Sequence, residues 1–299
     1  MSEGSKRYAG GFALPATDWG TQIFFRFDEV DSLVIEAPFK PIDIKSTVHN
    51  LEGGISHAFI NTLKQHFSMG VMLAVRSNDT SGPLGSISFT KGTAEGHNQA
   101  TVWRLFQDYT YRWERQVLAL RSTFSVGMNA LGATPEHKPS DQDSEFFAWL
   151  GQGQFAWRLM DNGAQALLRG NMQLSNEALL PLERIAVGGF QTVRGYRENQ
   201  LVRDEGFSVS AEFHYPLWGG TDANAQHKLT LVSFMDYGRA WNHGEAAKEL
   251  HSVGLGLDWQ FKPVRASLYY GYAINTPQPQ KSDDLQDDGL HFQVGVDIL

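Results

Sequence analysis

The chain has 299 residues, of which 41% are hydrophobic, with mean hydropathy −0.32, a formal net charge of −8 and a pI of about 5.7. That charge argues against a nucleic-acid grip, and no apolar run approaches the roughly 18 residues a membrane helix needs. There is no Cys, which removes disulfides, thiolate chemistry and Cys-based zinc sites. Hydropathy does not decide between a soluble domain and a membrane barrel, because every second residue of a barrel strand faces a polar interior. The decision falls to periodicity.

Met1-Ser2-Glu3-Gly4-Ser5 has neither a basic nor an apolar region, so this start is not expected to act as a signal peptide. Strands are predicted near 6–14, 20–32, 44–60, 65–78, 99–111, 115–129, 145–160 and 164–175. In the next, Phe207, Val209, Ala211, Phe213, Tyr215 and Leu217 form an apolar face opposed by Ser208, Ser210, Glu212 and His214. After a strand near 227–239, Val253, Leu255, Leu257, Trp259 and Phe261 alternate with Gly254, Gly256, Asp258 and Gln260. Val264, Ala266, Leu268, Tyr270, Tyr272 and Ile274 form another apolar face, and Leu290 to Ile298 alternates strictly. The count is about thirteen, with runs near the 9–11 residues of a tilted membrane strand. Helical periodicity is confined to Glu245-Ala246-Ala247-Lys248-Glu249-Leu250, where one turn of helix is predicted.

The connections alternate in length. Short ones fall near Leu14–Trp19, Asn61–Lys64, Tyr111–Glu114, Met160–Gly163 and Gln260–Pro263. Long ones fall near 33–43, 79–98, 130–144, 176–204, 240–249 and 275–288, while 218–226 is somewhat long for a short-turn position. Short turns at one end and long loops at the other are the pattern of an outer-membrane barrel. A soluble sandwich also alternates apolar and polar residues, but its loops need not alternate in length. Trp149, Trp157, Trp218, Trp241 and Trp259 lie in or near strand ends, where interfacial girdles form, although core packing would also use them.

One long loop stands out. Gly188-Gly189-Phe190-Gln191-Thr192-Val193-Arg194-Gly195-Tyr196 is flanked by amphipathic strands but is not patterned as one. Gly permits backbone that other residues cannot adopt. A lone Arg there suits a carboxylate, which its planar fork can bind bidentately. Asp236, in Phe234-Met235-Asp236-Tyr237-Gly238, lies 236 − 194 = 42 residues downstream, on the strand face opposite Met235 and Tyr237. Taken alone, a loop Arg and an unrelated strand Asp would look the same.

Val193-Arg194-Gly195-Tyr196, followed at this spacing by Phe-x-Asp-x-Gly, resembles the outer-membrane transporters of two-partner secretion, the haemolysin secretion/activation family. The resemblance extends to Leu180-Pro181-Leu182-Glu183, to Arg115–Arg121 and to Phe146–Gln152, and covers nearly the whole chain. It implies an all-β fold, an antiparallel transmembrane β-barrel of the two-partner secretion and outer-membrane assembly type. Related barrels have sixteen strands, with the Arg motif in the loop between the eleventh and twelfth. On that count the first strand here is about the fourth, and the earlier strands, the POTRA domains and a plug helix are expected to be missing. A thirteen-strand stretch is then expected to leave a gap between its first and last strands and not to act as a transporter alone.

The resemblance also implies roles. Loop 176–204 would fold into the lumen, with Arg194 latched to Asp236. Val193, Gly195, Tyr196, Phe234 and Gly238 complete the two motifs, and Gly188 and Gly189 let the loop backbone turn. The implied partners are an unfolded exoprotein of haemolysin or adhesin type, outer-membrane lipid and the barrel assembly machinery, in the outer membrane of a Gram-negative-type bacterium. An assembly factor of the same superfamily, a passive porin and an outer-membrane hydrolase are the other readings. No catalytic residue, cofactor site or nucleotide site is expected: there is no Gly-x-Ser-x-Gly elbow, P-loop or His-Glu-x-x-His motif. Asp283, Asp284, Asp287 and Asp288 read as a solvated loop rather than a calcium site, and Thr276–Gln280 as a mobile loop tip.

Overall fold

The protein is described from a computed structural model over residues 5–33, 44–82, 85–86, 96–135, 142, 144–219, 226–275, 285 and 287–296. The predicted tip Thr276–Gln280, Asp283, Asp284 and the last three residues lie outside this range. The described residues form strands β1 (Ser5–Pro15), β2 (Thr21–Leu33), β3 (Lys45–Asn61), β4 (Gln65–Gly82), a two-residue β5 (Gly85–Ser86), β6 (His97–Arg112), β7 (Gln116–Met128) and β8 (Phe147–Arg158). They continue with β9 (Gln165–Ser175), β10 (Ile185–Val187), β11 (Leu201–Arg203), β12 (Glu205–Trp218), β13 (His227–Trp241), β14 (Lys248–Phe261), β15 (Val264–Ala273) and β16 (Leu290–Val296).

The main sheet runs β1-β2-β3-β4-β6-β7-β8-β9-β12-β13-β14-β15-β16, the order expected of a meander, with β5 paired to β4 and β10 paired with β11 apart from it. That path holds the thirteen predicted strands. No pairing joins β1 to β16 among the described residues. The predicted helical turn at Glu245–Leu250 is not formed: residues 248–250 begin β14. β13 and β14 pair over fourteen residues, so the ladder hydrogen bonds available to Lys248, Glu249 and Leu250 outweigh a weak local helix preference.

The apolar stripes read from the sequence are the exposed ones. Leu255 is 57% exposed, Tyr272 61%, Phe292 70% and Met235 61%, while Phe234, Asp236, Gly256, Gly271 and His291 at neighbouring positions are buried. Water would not tolerate so extended an apolar face, whereas lipid does, and the opposite face of the sheet is polar. This is the fold of an antiparallel transmembrane β-barrel. No helix among the described residues is long and apolar enough to cross a membrane, so the crossing elements are strands.

The chain divides into two compact units. The first comprises residues 1–109, 121–150 and 174–184; the second comprises 110–120, 151–173 and 185–299. In the first, Phe24, Met72 and Phe106 form a buried cluster on the polar face. Glycines give these rings their place: a Cβ on Gly54 would stand 2.7 Å from Phe24 Cζ, and one on Gly70 would stand 2.3 Å from Phe106 Cζ. The second unit repeats the device, with Gly254 beneath Phe234 and Gly256 beneath Tyr269, each ring carbon 2.3 Å from the Cβ that is absent. The space left by those glycines holds two aromatic rings against the sheet, with centroids 6.0 Å apart.

Candidate functional site

The site in the second unit is assembled by strand register. Ser210 pairs with Asp236 and with Arg169, Asp236 pairs with Ser252, and Tyr269 pairs with His291. Side chains alternate across a strand, so Phe234, Asp236 and Gly238 share the covered face of β13, with Ser210, Glu212 and His214 beside them on β12.

Loop residues 185–204 come down on that face. Their frame is the hairpin of β10 and β11, which pairs Ile185 with Arg203 and Val187 with Leu201. Ile185, Val187, Val193, Tyr196, Leu201, Ala240 and Leu250 pack into one buried cluster. The turn out of β10 requires Gly at two successive positions, with φ of +115° at Gly188 and +97° at Gly189. Thr192 then closes the turn: its hydroxyl accepts the Gly188 N–H at 2.8 Å, and Gly189 N–H reaches the Val193 carbonyl at 3.0 Å.

Arg194 emerges from this turn and is 2% exposed. Its Nε donates to Asp236 Oδ2 at 2.8 Å and its Nη2 to Asp236 Oδ1 at 2.7 Å. The Arg194 backbone N–H adds a third bond to Oδ2 at 3.0 Å. Nη2 also donates to Ser210 Oγ at 2.9 Å and lies 2.9 Å from Glu212 Oε1. The guanidinium lies over the Phe234 ring at 3.7 Å and within 5.3 Å of the Tyr269 centroid. Burial works against its charge, but Asp236 and Glu212 more than offset this and hold its pKa above the ordinary value. Glu212 in turn binds Arg169 and His214, so the second carboxylate is also satisfied.

The motif residues have separable physical parts. Phe234 is the platform under the guanidinium and Asp236 the bidentate partner. Gly238 is space: a Cβ there would stand 2.4 Å from Val187 Cγ1 and 2.8 Å from Val193 Cγ2. Gly195 has φ of +86°, and a Cβ on it would meet the Gly271 carbonyl oxygen at 2.7 Å. Its N–H donates to His291 Nε2 on β16 at 3.0 Å. The Tyr196 hydroxyl lies between the His251 carbonyl (2.8 Å) and Asn275 (2.6 Å) and accepts the His251 N–H at 3.1 Å. Burial pushes its pKa up.

The structure therefore brings together all nine residues singled out in the sequence. It adds Ser210, Glu212, Arg169, Tyr269, His251, Asn275, Gly271 and His291. Their signal was the period-two pattern that put most of them on the polar face; which of them would meet the loop depended on register. Asp287, read as part of a solvated acidic loop, is paired with Arg197 at 2.5 Å. Among the described residues no group of His, Cys, Asp and Glu could hold a metal ion.

In the first unit, residues 174–184 carry the start of the same loop. Leu179 and Leu180 are fully buried against Ala100, Val102, Phe146 and Ala148. Pro181–Glu183 forms a 3-10 turn, and both Glu183 carboxylate oxygens accept from Arg104 Nη2, at 2.8 and 2.7 Å.

Several solved structures share this fold. CdiB from Escherichia coli matches with a TM-score of 0.77 at 17% identity, covering 97% of this chain and 52% of that one. CdiB from Acinetobacter baumannii matches at 0.72 and 16%, covering 97% and 49%. BamA from Haemophilus ducreyi lacking POTRA domains 1-3 matches at 0.65 and 12%, covering 97% and 61%. The chain thus spans about half the length of the two CdiB chains. No curated protein matches the sequence. Residues 1–261 match the family described as haemolysin secretion/activation protein ShlB/FhaC/HecB. That match covers most of the strands and both motifs, so the chain belongs to the haemolysin secretion/activation family.

Proposed function

We propose that this chain is the translocating barrel of a two-partner secretion transporter, which passes an unfolded β-rich exoprotein across the outer membrane of a Gram-negative bacterium. The supporting observation is the buried bidentate tie between Arg194 and Asp236. A solute porin needs a polar lumen, but it has no need to bury a loop cation against the wall at the desolvation cost such a pair carries. In this reading loop 176–204 occupies the lumen when idle, and Arg194 and Asp236 latch its tip. The exoprotein's own folding outside the cell provides the drive, so neither nucleotide nor cofactor takes part and the protein is not an enzyme. POTRA domains elsewhere in the full protein would capture the exoprotein, and the barrel assembly machinery would insert the barrel.

The test is secretion. The full protein is produced with a large exoprotein that carries an N-terminal secretion domain, in a host without another such transporter. The exoprotein is expected in the medium, and only when the transporter is present. Loss of other outer-membrane barrels on depletion, with no exoprotein released, would instead identify an assembly factor. Steady single-channel conductance without exoprotein secretion would identify a porin.

A further inference from the structure

The loop between β9 and β12 is tied to strands at a second place that shares no residue with the Arg194 site. Glu183 closes the 3-10 turn at the loop's root, and its side chain is 7% exposed. Arg104, on β6, gives its carboxylate two hydrogen bonds from one nitrogen. Arg76, on the neighbouring strand β4, donates from Nη1 to Glu183 Oε1 at 3.1 Å and to the Leu182 carbonyl at 2.6 Å. Glu52 Oε1 lies 3.9 Å from Arg104 Nη1. These groups make two cations and two carboxylates. Without Glu183, Arg76 and Arg104 would lose the carboxylate they share, and Arg104, whose side chain is 13% exposed, would keep only the longer contact to Glu52 among these groups. Leu179 and Leu180, just upstream, are fully buried and hold the same segment by packing.

Charges this covered, bonded by charge-assisted hydrogen bonds to side chain and backbone, do not behave like an exposed surface pair. The root and tip ties lie in different compact units of the chain. Sites with no shared partner usually act additively, so each should open without the other.

We propose that Glu183 is a positioning residue for the loop: it holds the root on Arg76 and Arg104 as a second tie, so that the tip can leave Asp236 while the root stays in place. On the translocation reading above, on which this role rests, the loop then swings about its root, remains tethered to the wall and returns to the same seat after each passage.

Residues 1–299 contain no Cys, so in the full protein, with any Cys elsewhere replaced by Ser, a single thiol introduced here reports cleanly. Leu180→Cys reports the root and Val193→Cys the tip; both side chains are fully buried. Maleimide labelling is followed in outer-membrane vesicles, in backgrounds Glu183→Ala and Arg194→Ala. The proposal predicts that Glu183→Ala raises root labelling roughly tenfold and leaves the tip within about twofold, and that Arg194→Ala does the reverse. Charge reversal with Glu183→Arg and Arg104→Glu together should restore root protection, which a purely steric role for Glu183 would not. Should Leu180→Cys prevent folding, judged by heat-modifiable migration, Leu182→Cys reports the same segment. Root and tip labelling that rise together in either background would overturn the proposal, as would a root unaffected by Glu183→Ala. The measurement needs no exoprotein. A protein that shows the split pattern but secretes nothing would keep the two ties and lose the translocation reading.

Discussion

Arg194 carries its charge where few charges are tolerated. A buried cation is stable only when its hydrogen bonds and counter-charge repay the water it has lost. Here Asp236 takes both ends of the fork, Ser210 and Glu212 take the remaining edge, and Phe234 covers the face. Lys could supply the charge but not the fork. Arg194→Lys should therefore release the tip nearly as fully as Arg194→Ala, which the labelling of Val193→Cys would measure; protection equal to wild type would show that charge alone is enough. Gly238 makes a steric prediction. Gly238→Val places carbon where Val187 and Val193 already are, and overpacking of this kind costs about 1–3 kcal/mol. The tip should become protease-sensitive while the strands still form, and an unchanged digestion pattern would mean that the loop does not seat against β13. The Arg194 and Asp236 pair was legible in the sequence because it sits in two short motifs. Glu212 and His291 were not, since a polar residue at an inward position has many candidate partners until the strands are placed in register.

At the level of the element, the strands were readable and the loop's own structure was not. β12 to β16 show period-two alternation over enough residues to define a face, and each is found where that pattern put it. β10 and β11 have three residues each, too few for a period to emerge. They are held instead by the buried cluster around Val187 and Leu201, a tertiary cause that no local pattern announces. The region 245–250 failed in the opposite sense, because a helix-like composition yielded to pairing with β13. The exposed face of β14 tests the membrane reading. Leu255 is in the middle of the strand and points away from the polar face. Leu255→Lys should lower barrel stability by about 2–4 kcal/mol in lipid, if the position lies at the bilayer midplane. Urea titration followed by gel migration would measure it, and a cost near zero would place that face in water.

For the whole molecule, the polar sheet face, the covered loop segments and the exposed apolar face in each unit all suit one use: strands in lipid with a loop seated on their polar side. Family membership agrees with that reading. What moves, and whether the buried tie restrains it, is the claim on which the reading depends. The most direct measurement is a double-mutant cycle on exoprotein secretion, with Arg194→Ala, Asp236→Ala and both together, each checked for a folded heat-modifiable barrel. The account predicts that each single change lowers secretion while the barrel still folds, and that the double mutant falls no further, with a coupling of about 1–3 kcal/mol. Single effects that simply add, or secretion that stays at the wild-type level, would contradict it.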